Sequence, residues 1–192
     1  MKKLMRLVFV LCLLVFGTQT AFANSDKATI LEGADITSIH RLALAKPLYI
    51  PSDSLAPTMD QLIQIEGDAS KVARMYVIPY GATVESVKTD TQVDLLALDR
   101  HQAAKVFKDN ASKYADAYVV LTVANDSRTS FFFDVYKAGT NELLYTYQIQ
   151  ANRSEKDSVA TYQNFCEQFY KNFERSIAEQ QKDNAKAEKK AK

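Results

Sequence analysis

Asp116 stands at the head of an apolar run, in "KYADAYVVLTVAND" (113–126), and its setting is the most site-like of any acid in the chain. A general acid or base needs a partner within reach and a cause for a shifted pKa, and the neighbouring sequence supplies neither. The other use of this aspartate is structural. Asp is poor inside strands and helices but good at their junctions, where its carboxylate accepts nearby backbone N–H groups. Asp94 and Asp99 flank "LLAL" and would suit a paired-carboxylate glycosidase, or serve as a loop acid and a helix cap. His40 and His101 are the only histidines and form no HExxH or HxH pair. With Cys166 the sole thiol beyond residue 23, neither a transition-metal site nor a cofactor is expected. GxSxG, GxxxxGK[ST] and GxGxxG motifs are missing, and five glycines leave little for a phosphate cradle. No catalytic constellation is expected.

Two kinds of binding site remain open. "PLYIPSDSLAP" (47–57) and "PYGATVES" (79–86) follow the first two expected strands, where α/β sheets form ligand crevices. Ser52, Ser54, Tyr80 and Thr83 would line a small-molecule or hydrolase site there. Most of the ten Tyr and ten Phe fall on faces expected to be buried, but Tyr80, Phe132, Tyr136 and Tyr170 are hard to place inside. If exposed, Phe132 and Tyr136 would make a protein-binding patch. If covered, they would belong to a second buried sheet face.

The ends of the chain point to a compartment. "MKKLMR" is basic, "LVFVLCLLVF" is apolar throughout, and "GTQTAFA" ends in a small-x-small pattern. This is the layout of a secretory signal peptide, residues 1–23, cleaved after Ala23, so a periplasmic or secreted protein is expected. Leu11 precedes Cys12 and the apolar run continues past it, which argues against lipid attachment. The whole chain has 24 basic and 23 acidic side chains, and cleavage would remove Lys2, Lys3 and Arg6 but no acid. The slight acidic excess gives no reason to expect a nucleic-acid partner. Residues 180–192 form a lysine-rich solvated tail whose contact with a membrane is at most peripheral.

Between the ends, residues 24–36 read as a flexible lead-in and 37–179 as a single α/β domain. "SIHRLALAKPLYI" is a first strand interrupted by Pro47. Thr58 with Gln61 has capping-box spacing, opening a helix whose apolar face includes Met59, Leu62, Ile63 and Ile65. "MYVIPY" is a brief second strand, and Val84 with Val87 marks a short helical piece. Asp99 with Gln102 caps a further helix, with Ala103, Phe107, Ala111 and Tyr114 as its buried stripe. Residues 117–123 are apolar on both faces, as a central strand requires. "SFFFDVY" and "ELLYTYQIQ" follow across turn sequences, the second expected near a sheet edge. Tyr162, Cys166, Phe169, Phe173 and Ile177 then share one stripe of a C-terminal helix, which makes Cys166 a core residue. The expected fold is a mixed sheet of about five strands with packed helices, in the order β-α-β-α-β-β-β-α.

"YADAYVVLTV…FFFDVYKAGTNELLYTYQI" in this order resembles the group of bacterial envelope domains that includes the TolB amino-terminal domain, CsgG and the LpoB-type lipoproteins. In that group a helix ends in a small residue followed by Asp, an aromatic and branched residues; here these are Ala115, Asp116, Ala117, Tyr118, Val119 and Val120. Where the group usually has a glycine soon after the central strand begins, this chain has Thr122. The resemblance spans roughly residues 38–150 and implies an exported, non-enzymatic interaction module, an envelope accessory or adaptor with unidentified envelope protein partners.

Overall fold

The computed structural model describes residues 25–50, 56–125, 128–152 and 158–191. The expected leader with its cleavage site, and the candidate residues Ser52 and Ser54, lie outside the described residues.

Seven strands form one open mixed sheet, β1 (Ser25–Ile30), β2 (Arg41–Leu44), β3 (Leu48–Tyr49), β4 (Tyr76–Ile78), β5 (Ala117–Asn125), β6 (Thr129–Lys137) and β7 (Leu143–Gln150). Their spatial order is β1-β7-β6-β5-β2-β4, with β3 also on β5. The α-helices are α1 (Met59–Ala69), α2 (Tyr80–Thr91), α3 (Arg100–Asn110) and α4 (Val159–Ala191). The β2–β4, β2–β5 and β3–β5 pairs are parallel, and β5–β6, β6–β7 and β1–β7 are antiparallel. The mixed α/β architecture expected from the sequence is therefore present.

Pro47 explains why β2 and β3 are separate: both pair with β5, and the proline cannot donate to the ladder between them. Leu42, Ala43 and Leu44 are all buried, since β2 lies between two strands and under helices on both sides of the sheet. The capping box of α1 is complete: Gln61 N–H donates to Thr58 Oγ1 at 3.2 Å, and Thr58 N–H donates to Gln61 Oε1 at 2.8 Å.

One sheet face packs against α4. Phe131, Phe133 and Val135 from β6 and Tyr145, Tyr147 and Ile149 from β7 meet Tyr162, Phe165, Phe169 and Phe173. Phe133 and Phe169 stack at 4.4 Å between ring centroids with 4° between their planes. Cys166 is fully buried in the same layer, and burial pushes its thiol pKa well up, which suits packing better than nucleophilic chemistry.

Several local expectations are corrected. Residues 25–30, read as part of a flexible lead-in, form β1, the edge strand paired along its length with β7. "SDKATI" has little apolar pattern, so its pairing comes from the free edge of β7 and not from strand propensity. With β1 and β3, the count rises from about five strands to seven. The helical piece at Val84 is a full helix of 12 residues. Tyr80 and Tyr170, hard to place from sequence, are both buried. The C-terminal lysine-rich segment continues α4, a helix of 33 residues, and residues 181–190 are exposed.

Candidate functional site

Asp116 is a structural junction that touches two strands. Its Oδ2 accepts the backbone N–H groups of His40 at 3.0 Å and Arg41 at 2.8 Å, and its Oδ1 accepts the Arg41 guanidinium at 3.3 Å. Its own N–H donates to Arg41 O at 3.0 Å. Burial works to raise the carboxyl pKa, but the two N–H groups and the guanidinium outweigh it and hold the group below its ordinary value. A cavity of about 430 Å³ lies beside it, with Asp35, Lys137 and Glu142 in its wall. The contact with His40 is through backbone, so the aspartate and the imidazole do not form an acid–base pair.

Asp94 and Asp99 are also occupied. Asp99 accepts from His101 N–H and Gln102 N–H, both at 2.9 Å, at the start of α3. Asp94 accepts Leu96 N–H at 3.0 Å and Lys88 Nζ at 2.9 Å, closing the 3₁₀ turn Leu95–Ala97. These are the capping roles, and they leave no vacant carboxylate pair for glycoside chemistry. No cluster of three or more His, Cys, Asp or Glu able to hold a metal occurs among the described residues.

The other large opening is a cleft of about 610 Å³ between the β3 end of the sheet and α3. It lies where the sequence places a crevice, after the first two expected strands. Its wall includes Pro47, Leu48 and Tyr49 from the first of those connections and Tyr80 from the second. Tyr80 directly follows Pro79, which precedes α2, and its ring lies 6.5 Å from that of Phe107 on α3. Burial raises the Tyr80 phenol pKa. Thr83, the fourth expected lining residue, faces the core: it is fully buried, its Oγ1 has no hydrogen-bond partner, and it is not part of the cleft wall.

The sequence reading passed over Arg100 and Lys108. These two residues and Ala104 are spaced i, i+4, i+8 along α3, a single stripe, and all three face the cleft. The spacing was visible beforehand, but what the stripe faces depends on the sheet.

A second feature adjoins this cleft. Tyr118, Val120 and Thr122 share a sheet face with Tyr136, Asp134 and Phe132, their partners on β6. Around Tyr118 this face is covered, with the Phe107 ring 5.7 Å away. Over β6 and β7 the residues of this face, among them Thr146 and Gln148, are half-buried. Phe132, Asp134 and Tyr136 are half-buried, and Tyr136 stacks on Tyr118 at 5.3 Å. Burial raises the Asp134 carboxyl pKa, and this group makes no ion pair among the described residues. Phe132 and Tyr136 are thus neither fully exposed nor fully buried.

No protein-family profile matches the chain, and no curated protein matches it by sequence. Solved structures share its outline at a distance. The LpoB C-terminal domain from Escherichia coli superposes with a TM-score of 0.46 at 10% identity, over 63% of this chain and 89% of that one. The PelC dodecamer from Paraburkholderia phytofirmans gives a TM-score of 0.42 at 6% identity, over 76% of this chain and 93% of that one. Likenesses this remote assign no role to any residue here.

Proposed function

We propose that this chain is an exported, non-enzymatic binding module, an envelope accessory that docks a protein partner on the sheet face carrying Phe132, Asp134 and Tyr136. The observation that carries the reading is the half-buried row on β6, where Phe132 and Tyr136 flank Asp134, which makes no ion pair among the described residues. An aromatic surface of this kind gains free energy when water is removed from it. A desolvated carboxylate between the rings selects a partner segment that combines apolar side chains with a lysine or arginine. The basic, apolar and small-residue sections of the first 23 residues support export to the periplasm or beyond, with cleavage after Ala23. No described helix is long and apolar enough to cross a membrane. Lys182, Lys186, Lys189 and Lys190 on the exposed end of α4 would add a weak, peripheral attraction to anionic surfaces.

The test is site-specific photocrosslinking in intact cells of the native host. A crosslinker at position 132 is expected to give a discrete adduct that disappears when Asp134→Asn is added. The same crosslinker at position 105, on the exposed side of α3, is expected to give none. No adduct at 132, or equal adducts at both positions, would refute this reading.

The cleft beside α3 supports a second reading, binding of a small molecule, whose chemistry is developed next.

A further inference from the structure

We infer that the cleft between β3 and α3 is a binding site for a small amphiphilic anion, an oxyanion head carried on an alkyl or aryl tail. This site adjoins the protein-docking surface at Val120 but does not depend on it.

The charges around the cleft are of one sign. Lys46, Arg100 and Lys108 stand exposed at its edge, with His101 beside them, and no Asp or Glu is among the lining residues. None of these three cations makes an ion pair among the described residues, although other surface lysines do, such as Lys88 with Asp94 and Lys105 with Asp109. The chain as a whole is nearly balanced, with 24 basic and 23 acidic side chains, so an all-basic rim is a local feature. Cations of one sign around a low-dielectric depression focus the field and raise the local concentration of anions.

The position of Arg100 adds to this. Arg100 and His101 occupy the first turn of α3, which contains no acid. The end of α3 is already capped by the Asp99 carboxylate, so an oxyanion in the cleft would be met by the Arg100 guanidinium.

The floor is apolar. Leu48, Leu98 and Val120 lie half-buried along it, and Leu96 at its mouth is 67% exposed, an unusual position for a leucine. Ala103 and Ala104 leave the helix wall without bulk. The volume of about 610 Å³ is that of a small-molecule site, which typically spans about 300–1,000 Å³. An inorganic anion would leave the leucines wet, and a neutral hydrocarbon would leave the three cations unused. A ligand with both parts satisfies the whole cleft.

Titration calorimetry on the chain beginning at Asn24 tests this with three probes: sodium decanoate, decyltrimethylammonium bromide and inorganic phosphate, each below any micellar concentration. Decanoate is expected to bind one to one, at least ten-fold more tightly than the other two. Lys46→Ala/Arg100→Ala/Lys108→Ala is expected to weaken decanoate at least ten-fold, and Lys105→Ala to leave it unchanged. A Leu98→Asn variant with an unaltered circular dichroism spectrum should also lose decanoate, which separates a tail site from simple charge attraction because no charge is changed. Decanoate that does not saturate at one to one, a tail cation that binds equally well, or a triple variant that binds as the parent does would each overturn the inference.

Discussion

The Asp116 carboxylate accepts the backbone N–H of Arg41 at 2.8 Å, across 75 positions of sequence. One side chain thereby fixes where β2 begins relative to β5, and the Leu42–Ala117 register follows from it. Replacing the carboxylate with an amide keeps the shape but substitutes a weaker acceptor for a charged one. Asp116→Asn is expected to lose about 1 kcal/mol, read as a lower denaturation midpoint with an unchanged slope. The folded pKa is below the unfolded one, so this contribution is present above the unfolded carboxyl pKa and is lost as pH falls through the folded value. The variant should therefore lose less stability than the parent as pH falls from the unfolded carboxyl pKa through the folded one. An unchanged midpoint at pH 7 would remove the junction role.

Glu66 gives the opposite pH dependence. It is buried on α1, neither carboxylate oxygen has a hydrogen-bond partner, and burial pushes its pKa up to about 8. Cys166 and Tyr170 of α4 share its surroundings. Below the unfolded pKa the neutral form contributes in full. As pH rises from there to about 8, the unfolded chain releases the proton first and stability falls by about 1 kcal/mol per pH unit. Glu66→Gln should flatten this slope, and Glu66→Leu should exceed the parent in stability at pH 8. Thermal melts from pH 5 to 8 decide it: a parallel decline in parent and Gln variant rules the mechanism out.

Phe133 and Phe132 are adjacent in sequence and lie on opposite sheet faces, so they should respond differently to truncation. Phe133→Ala removes one half of the stack with Phe169 and opens a cavity under α4, for an expected loss of about 3–5 kcal/mol. Phe132→Ala, on the half-covered face, should cost about 1 kcal/mol or less while abolishing partner capture. Urea unfolding of the two variants measures the contrast, and equal losses would mean that the second face is packed after all.

Gln180 is the last residue of α4 to hold the body of the protein. Its amide accepts Ile36 N–H at 2.9 Å and donates to Ala34 O at 2.7 Å. Gln180→Ala should cost about 1 kcal/mol and speed amide exchange at Ile36. Truncation after Gln180 removes only a solvated extension and should leave the midpoint within about 0.5 kcal/mol. Hydrogen exchange and denaturant melts together test the pair, and a large loss on truncation would assign the extension a structural role.

Local devices were the legible part of this fold. Thr58 with Gln61, and Asp99 with the N–H groups of His101 and Gln102, close their helices within a single turn, so sequence spacing alone identifies them. The aromatic stripe of α4 and the two-faced apolar run of β5 were readable for the same reason, because side-chain periodicity follows from backbone geometry. Pro47 likewise announced the break between β2 and β3.

What tertiary structure decided were the relations between distant segments. β1 is a strand because β7 offers an unpaired edge, a condition absent from "SDKATI" itself. Glu66 reads as an ordinary helix acid until α4 covers it and removes its water. Lys46 joins Arg100 and Lys108 only when the β3 end of the sheet and α3 are brought together, and the half-burial of Phe132 is likewise set by what surrounds β6. The chain's own order of residues specified its caps, periods and breaks, since these are short-range. Which surfaces stay open, and which charges meet there, is a property of packing and could be read only from the folded molecule.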